Sequence, residues 1–206
     1  KHHAFLGDEK IDPDYRYHIK LGLYNRSPLL LQKKLLRQWL LLAKYIKSYS
    51  CYIIQNRIYD ALSLNENCKN MLIFNAIMLS LFVWLGIIKY YFLFWIIPML
   101  IFYPLIGWLI ELSEHYPLVQ QNRIDIMMSR NRFSHWLEGL FFNIHNENYH
   151  LTHHLKPRVP FWNIKRAHFI LMSDEIYCKI NQAMGGIFLS RNRQETVLRQ
   201  LLLYVR

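Results

Sequence analysis

The sequence predicts an all-α integral-membrane protein, a transmembrane helical hairpin with a helical cap on the cytoplasmic side. Three observations predict it. Residues 71–88 hold no charge, Lys89 follows, and residues 90–110 again hold none. Twelve Lys and Arg lie in residues 1–70 and twelve in residues 111–206, so the basic residues stand almost wholly outside the apolar block. The histidines concentrate in segments that a hairpin would return to one face of a bilayer.

The chain has 206 residues, 53% of them hydrophobic and 16% aromatic, with a formal net charge of +11. High apolar content with a basic excess fits a nucleic-acid binder or a membrane protein. The separation of the two kinds of residue favours the membrane and argues against nucleic acid. Cys51, Cys68 and Cys178 are widely spaced and form no C-x-x-C pair, which fits free thiols in a reducing compartment. The chain opens on Lys1-His2-His3 without an initiator Met, and we read it as one domain, 1–206, incomplete at its N-terminus.

Residues 1–28 read as a polar loop following a histidine pair, with Gly7, Pro13, Gly22 and Pro28 as punctuation. Residues 29–62 form an amphipathic region. Over 29–49, Lys33, Arg37, Lys44 and Lys47 fall on one helical stripe, opposite Leu31, Leu35, Trp39, Leu42, Ile46 and Tyr49. That pattern fits either a helix on anionic headgroups or one packed on protein. Each uncharged half of 71–110 approaches the roughly 20 residues that cross a bilayer. Forty residues in one straight helix would overshoot it, so the chain is expected to turn around Lys89-Tyr90-Tyr91. Pro98 and Pro104 should bend the second helix, with Trp84, Trp95 and Trp108 near the interfaces. Two crossings return residues 111–206 to the side of 1–70, and the charge bias makes that side the cytoplasm. Residues 111–206 form the cap, with 157–206 a basic, mostly helical tail.

Of ten histidines, His150, His153 and His154 carry the clearest signal. Positions i, i+3 and i+4 share one helical face, and neutral imidazoles are good ligands for Fe, Zn or Cu. His2-His3 could end a second such cluster. His115 stands where the second crossing returns to the surface, with Glu111 one turn before it. His145, Glu147 and Asn148 are candidates to orient imidazole N–H groups. His18, His135 and His168 have no partner pattern and are expected to meet solvent or headgroups.

These segments resemble the membrane fatty acid desaturase/hydroxylase superfamily, in its bacterial desaturase branch. The resemblance rests on His2-His3 running into GDEKIDPD (7–14), on ELSEHYP (111–117) and on NENYHLTHHLKPRVPFWNI (146–164). It implies the C-terminal part of a four-helix membrane desaturase fold and a centre of two iron ions. Its ligands here would be His2 and His3 from the second histidine box, His150, His153 and His154 from the third, and the extra His115. It implies O2-dependent desaturation of a fatty acyl chain, presented as lipid, thioester or free acid, with hydroxylation of an acyl chain, alkane or carotenoid as the alternative outcome. A ferredoxin- or cytochrome-type donor would supply electrons, and a bacterial inner membrane would house the protein. The first histidine box and first helix pair of that family are absent from these 206 residues, which are therefore expected to be inactive alone.

Two other classes are weaker. A zinc-dependent membrane hydrolase more often shows H-E-x-x-H, and none occurs here. A transporter should place ionisable groups within its spans, whereas 71–110 holds only Lys89.

Overall fold

The computed structural model describes residues 2–20, 47, 50–51, 54–55, 66–121 and 125–203. These are mostly helical. Among them extended pairing is limited to an isolated antiparallel bridge between Ser134 and Ser190. The chain divides into two units, one of Lys1–Arg37 with Ile110–Arg206 and the other of Gln38–Leu109. The amphipathic region expected over 29–62 lies almost entirely outside the described residues.

In the second unit, α2 (Glu66–Trp84) and the start of α3 (Ile88–His115) pack as neighbours across a short turn. The turn is at Leu85-Gly86-Ile87, and Lys89-Tyr90-Tyr91 already belongs to the next helix, which corrects the expected turn position. Gly86 sets it. At φ +69 it is left-handed, its N–H donates to Val83 O (3.0 Å), and Ile87 N–H donates to Phe82 O (3.0 Å). This is the Schellman closure that a glycine just past a helix end permits. Asn75 then clasps the pair. Its Oδ1 accepts from Tyr91 Oη (3.3 Å) and Trp95 Nε1 (3.2 Å), while its Nδ2 donates to Met71 O (2.8 Å). Trp95 therefore ties helix to helix, and Trp108 is buried.

Pro98 has no N–H and would collide with the carbonyl one α-turn back. Wider π-helical turns at Phe92–Ile96 and Pro98–Phe102 flank it. Helix α3, 28 residues long, is long and apolar enough to cross a membrane, whereas the apolar stretch Lys69–Trp84 is shorter. Much of the apolar surface of both points outward, as at Ile77, Val83 and Phe94.

The first unit is built differently. A helix, α1 (Pro13–Lys20), replaces part of the expected loop. Asp12 is the reason: its Oδ1 accepts from Asp14 N–H (3.1 Å) and Tyr15 N–H (3.2 Å), and Pro13 sits at the first helical position. After α4 (Leu118–Gln121) and a 3₁₀ turn at Asp125–Met127, an extended thread over 129–134 runs through the interior. Arg130 N–H donates to Glu114 O, Arg132 N–H to Asn148 O and Phe133 N–H to Gly185 O. Helix α5 (Trp136–Phe142) leads through a 3₁₀ segment, Ile144–Tyr149, to α6 (His150–Leu155). Helices α7 (Phe161–Leu171), α8 (Glu175–Gln182) and α9 (Val197–Leu203) follow. The connection between α8 and α9 returns to the thread: His135 N–H donates to Leu189 O and Arg191 N–H to Phe133 O. The expected helical tail is thus interrupted by a segment that packs into the unit.

Candidate metal centre

Three segments of the first unit converge on one spot. His2 and His3 sit on the 3₁₀ turn His2–Ala4, His115 is the last residue of α3, and His150, His153 and His154 project from α6. The structure brings all six together in two groups. The Nε2 atom of His115 lies 2.8 Å from that of His150 and 3.3 Å from that of His2, and His150 and His154 meet Nε2 to Nε2 at 3.0 Å. The ligand atoms of these four lie within 4.8 Å of one another. Beside them His3 and His153 face each other at 3.0 Å, and the His3 ring is 4.7 Å from that of His154.

The far side of each ring explains which nitrogen is bare. His115 Nδ1 faces Met128 O at 3.2 Å, and a carbonyl only accepts, so Nδ1 carries the proton. His2 Nδ1 donates to Asp12 Oδ1 at 2.9 Å, and His150 Nδ1 lies 3.2 Å from Glu114 Oε2. His115 and His150 are held neutral by burial, so their Nε2 lone pairs point at each other across 2.8 Å, an arrangement that a cation between them would relieve.

The spacing fits such a cation. Metal–nitrogen bonds of about 2.1 Å set neighbouring ligand nitrogens roughly 3.0 Å apart in an octahedron and roughly 3.4 Å in a tetrahedron. The distances above span 2.8 to 3.3 Å. Protonation states fit as well. Burial, reinforced by the neighbouring imidazoles His115 and His154, holds His150 well below the usual imidazole range. Burial, with His115 and His2 beside it, takes His154 down to about 2. Burial likewise lowers His3 and His153. His2 differs: burial lowers it, but the Asp12 hydrogen bond and charge outweigh that, leaving it raised.

The residues that aim these rings come from the sequence nearby. Gly7, at φ +78, lets the backbone fold back so that its N–H donates to Asp12 Oδ2 (2.9 Å); a Cβ there would stand 2.5 Å from Val119 Cγ1. Asp12 thus caps α1 and holds His2 with the same carboxylate, which four hydrogen bonds keep ionised below its ordinary value despite burial. Glu114 links His150 to the fully buried Arg132, whose Nη2 donates to Oε1 at 2.8 Å. On the back of α6, Thr152 is wholly buried. Its N–H donates to Asn131 Oδ1 (3.2 Å), and its hydroxyl meets Tyr177 Oη at 2.6 Å. Asn131 Nδ2 donates to Tyr177 Oη (2.9 Å) and Asn181 Oδ1 (2.6 Å), and Tyr177 Oη meets His168 Nδ1 at 2.7 Å.

Several expectations need correction. Glu111 lines the same small cavity as His2 and His115, with its Oε1 3.7 Å from buried His18 Nε2, while Glu114 lies against the His150 ring. Asn148 donates from Nδ2 to Arg132 O and so braces the buried thread. His145 is exposed, left-handed at φ 56, and its ring lies 4.8 Å from that of Phe161. His18 and His168 are buried, and His135 caps α5, its Nδ1 accepting from Leu137 N–H at 3.4 Å. None of these three is simply a solvent or headgroup contact. Asp12, Glu114, Arg132 and the Asn131–Thr152–Tyr177 network were not among the residues expected from sequence. Only Asp12 had a signal there, an Asp-Pro pair opening a helix.

The chain belongs to the fatty acid desaturase family, whose model matches residues 1–177. It is similar to dihydrorhizobitoxine desaturase of Bradyrhizobium elkanii, with 29% identity over 208 residues covering 97% of this chain and 59% of that protein. The chain therefore spans about three fifths of the length of that relative. No solved structure matches it.

Two expectations follow from the geometry. Asp12→Ala removes the acceptor that fixes His2, and metal affinity measured by competitive chelation should fall about 10- to 100-fold; unchanged affinity would show that Asp12 only caps α1. In the metal-free protein, buried His18 (lowered to about 4 by burial), His150 and His154 refuse protons that the unfolded chain accepts below about pH 6.5. Their contribution is complete above that pH and is lost as pH falls. Raised His2 and Glu114, which burial pushes up to about 7, have the opposite sign, stabilising at low pH and losing this as pH rises, but the buried histidines lowered by burial outnumber them. The thermal midpoint should therefore drop from pH 7 to pH 5, and a constant or rising midpoint would contradict the burial of neutral rings.

Proposed function

We propose that this chain forms the iron-binding part of a membrane enzyme that introduces a double bond into a fatty acyl chain, using O2 and electrons from a ferredoxin- or cytochrome-type donor. The observation that carries the reading is the convergence of three bare Nε2 atoms with that of His154, in a chain of the fatty acid desaturase family. His2, His115, His150 and His154 would hold one iron ion. His3 and His153 face a second, whose remaining positions are left to other groups. Iron at these positions supplies the O2-dependent removal of hydrogen from unactivated methylenes, chemistry beyond acid–base side chains.

The chain's own residues prepare that site. Asp12 and Met128 O accept from Nδ1 of His2 and His115, and Glu114 stands 3.2 Å from Nδ1 of His150, which would leave each Nε2 for the metal. Arg132 balances the charge of Glu114. Removing that carboxylate would strand a buried guanidinium, which costs about 3–5 kcal/mol. Thr152, Asn131 and Tyr177 fix the rotation of α6, so that its three histidines share a face while the opposite face is hydrogen-bonded.

Helices α2 and α3 are proposed to cross the bilayer as a hairpin, with the histidines on the cytoplasmic side of a bacterial inner membrane. The outward apolar side chains of both helices, the short glycine turn and the flanking positive charge support this. An acyl substrate would then come from the lipid itself.

Lipid profiling of a heterologous host expressing the complete gene tests the reaction. A new unsaturated acyl species should appear and should vanish in His153→Ala. A hydroxylated species instead would move the reaction to the alcohol outcome. No new species, or one that survives His153→Ala, would overturn the assignment.

A further inference from the structure

Helix α5 is inside out. Its one acidic residue, Glu138, is buried at 4% exposure, whereas Trp136, Leu140 and Phe141 are each 66% exposed. The inward turn is held by hydrogen bonds. The Glu138 carboxylate accepts from Ile187 N–H (2.6 Å), Phe188 N–H (2.7 Å), Leu189 N–H (2.6 Å) and the Ser134 hydroxyl. Four donors fix the rotation of this short helix, and at 100° per residue positions 136, 137, 140 and 141 then share the opposite face. In water that orientation exposes the wrong side.

A second exposed apolar surface lies on α7. The 3₁₀ segment after α5 packs on α7, where Asn146 Nδ2 donates to Phe161 O (3.1 Å) and the His145 ring lies on that of Phe161. Helix α7 buries Ile164 and His168 and turns out Trp162 and Phe169, with Lys165 and Arg166 between them. Over residues 136–170 the exposed charges are Lys156, Arg158, Lys165 and Arg166 against Glu147 alone.

We infer that this face of the first unit, formed by α5 and α7, seats on the bilayer surface, with its aromatic and aliphatic side chains among the upper acyl segments and its cations at anionic headgroups. Apolar bulk with Trp, edged by Lys and Arg, is the composition that such an interface selects. The excess of positive charge argues for anionic lipid over a second copy of this chain, which would bring like charge against like. The inference rests on the proposal that the chain is membrane-embedded, and it adds a second contact, made by short helices that do not span.

The test uses the full chain with its native cysteines replaced, in nanodiscs of phosphatidylglycerol and phosphatidylethanolamine. Nitroxide labels are placed through Leu140→Cys, Trp162→Cys and Phe169→Cys, with Glu175→Cys as the aqueous reference and Phe94→Cys as the reference in α3. Power saturation should give the three patch labels an oxygen-to-nickel-chelate accessibility ratio several-fold above that at residue 175. If position 94 reads as lipid while the patch matches position 175, the inference is wrong and the hairpin stands. If position 94 itself reads as aqueous, the hairpin falls and this surface with it. Spin–spin broadening at the patch, relieved by dilution with unlabelled chain, would mean that a second copy covers it and would also overturn the inference.

Discussion

Neutral imidazoles repel when their lone pairs face one another, and the first unit holds such rings nitrogen to nitrogen. Asp12 and Met128 O claim the Nδ1 protons of His2 and His115 and leave their Nε2 atoms bare, and Glu114 stands against Nδ1 of His150. A cation among them would relieve that repulsion, and the surrounding structure keeps the three elements close against it. Asp12 does so by capping α1 and binding His2 at once. Glu114 does so by joining His150 to Arg132.

The consequence is an interior more polar than usual. Arg130, Asn131, Arg132 and Thr152 are almost wholly buried, and each has partners: Arg130 Nη2 donates to Tyr116 O (2.7 Å) and Nη1 to Gln200 Oε1 (2.9 Å). Such bonds add only about 1 kcal/mol each, yet leaving one group unsatisfied costs more. A network of this kind is therefore unforgiving of rotation. It fixes the side of α6 that faces the other histidines in a way that a greasy core of the same volume would not.

How much of this is legible in the sequence follows from how local each feature is. The six histidines are legible because spacing on a helix and neighbouring motifs carry them. The apolar block is legible because few folds other than a buried or membrane-facing helix exclude charge over about twenty residues. The turn lies a few residues before the expected position: Lys89 is the single charge in the apolar block, whereas Gly86, able to adopt φ +69, makes the bend. Glu111 is legible from its one-turn spacing and lines the cavity beside His115, whereas Glu114, next to His115, reaches across to His150, a contact no spacing announces. Arg132, Asn131 and Tyr177 act over separations of 18 to 50 residues, and no periodicity announces such contacts. His18 and His168 were expected at the surface because a lone histidine carries no sign of its burial.

The central claim is that His2, His115, His150 and His154 hold one iron and that His3 and His153 face another. An anomalous-scattering map at the iron absorption edge, from crystals of the complete protein, addresses it most directly. Two iron peaks are expected, one among the four Nε2 atoms and one beside the His3–His153 pair. A single peak, a zinc edge in place of iron, or peaks away from these six rings would contradict it.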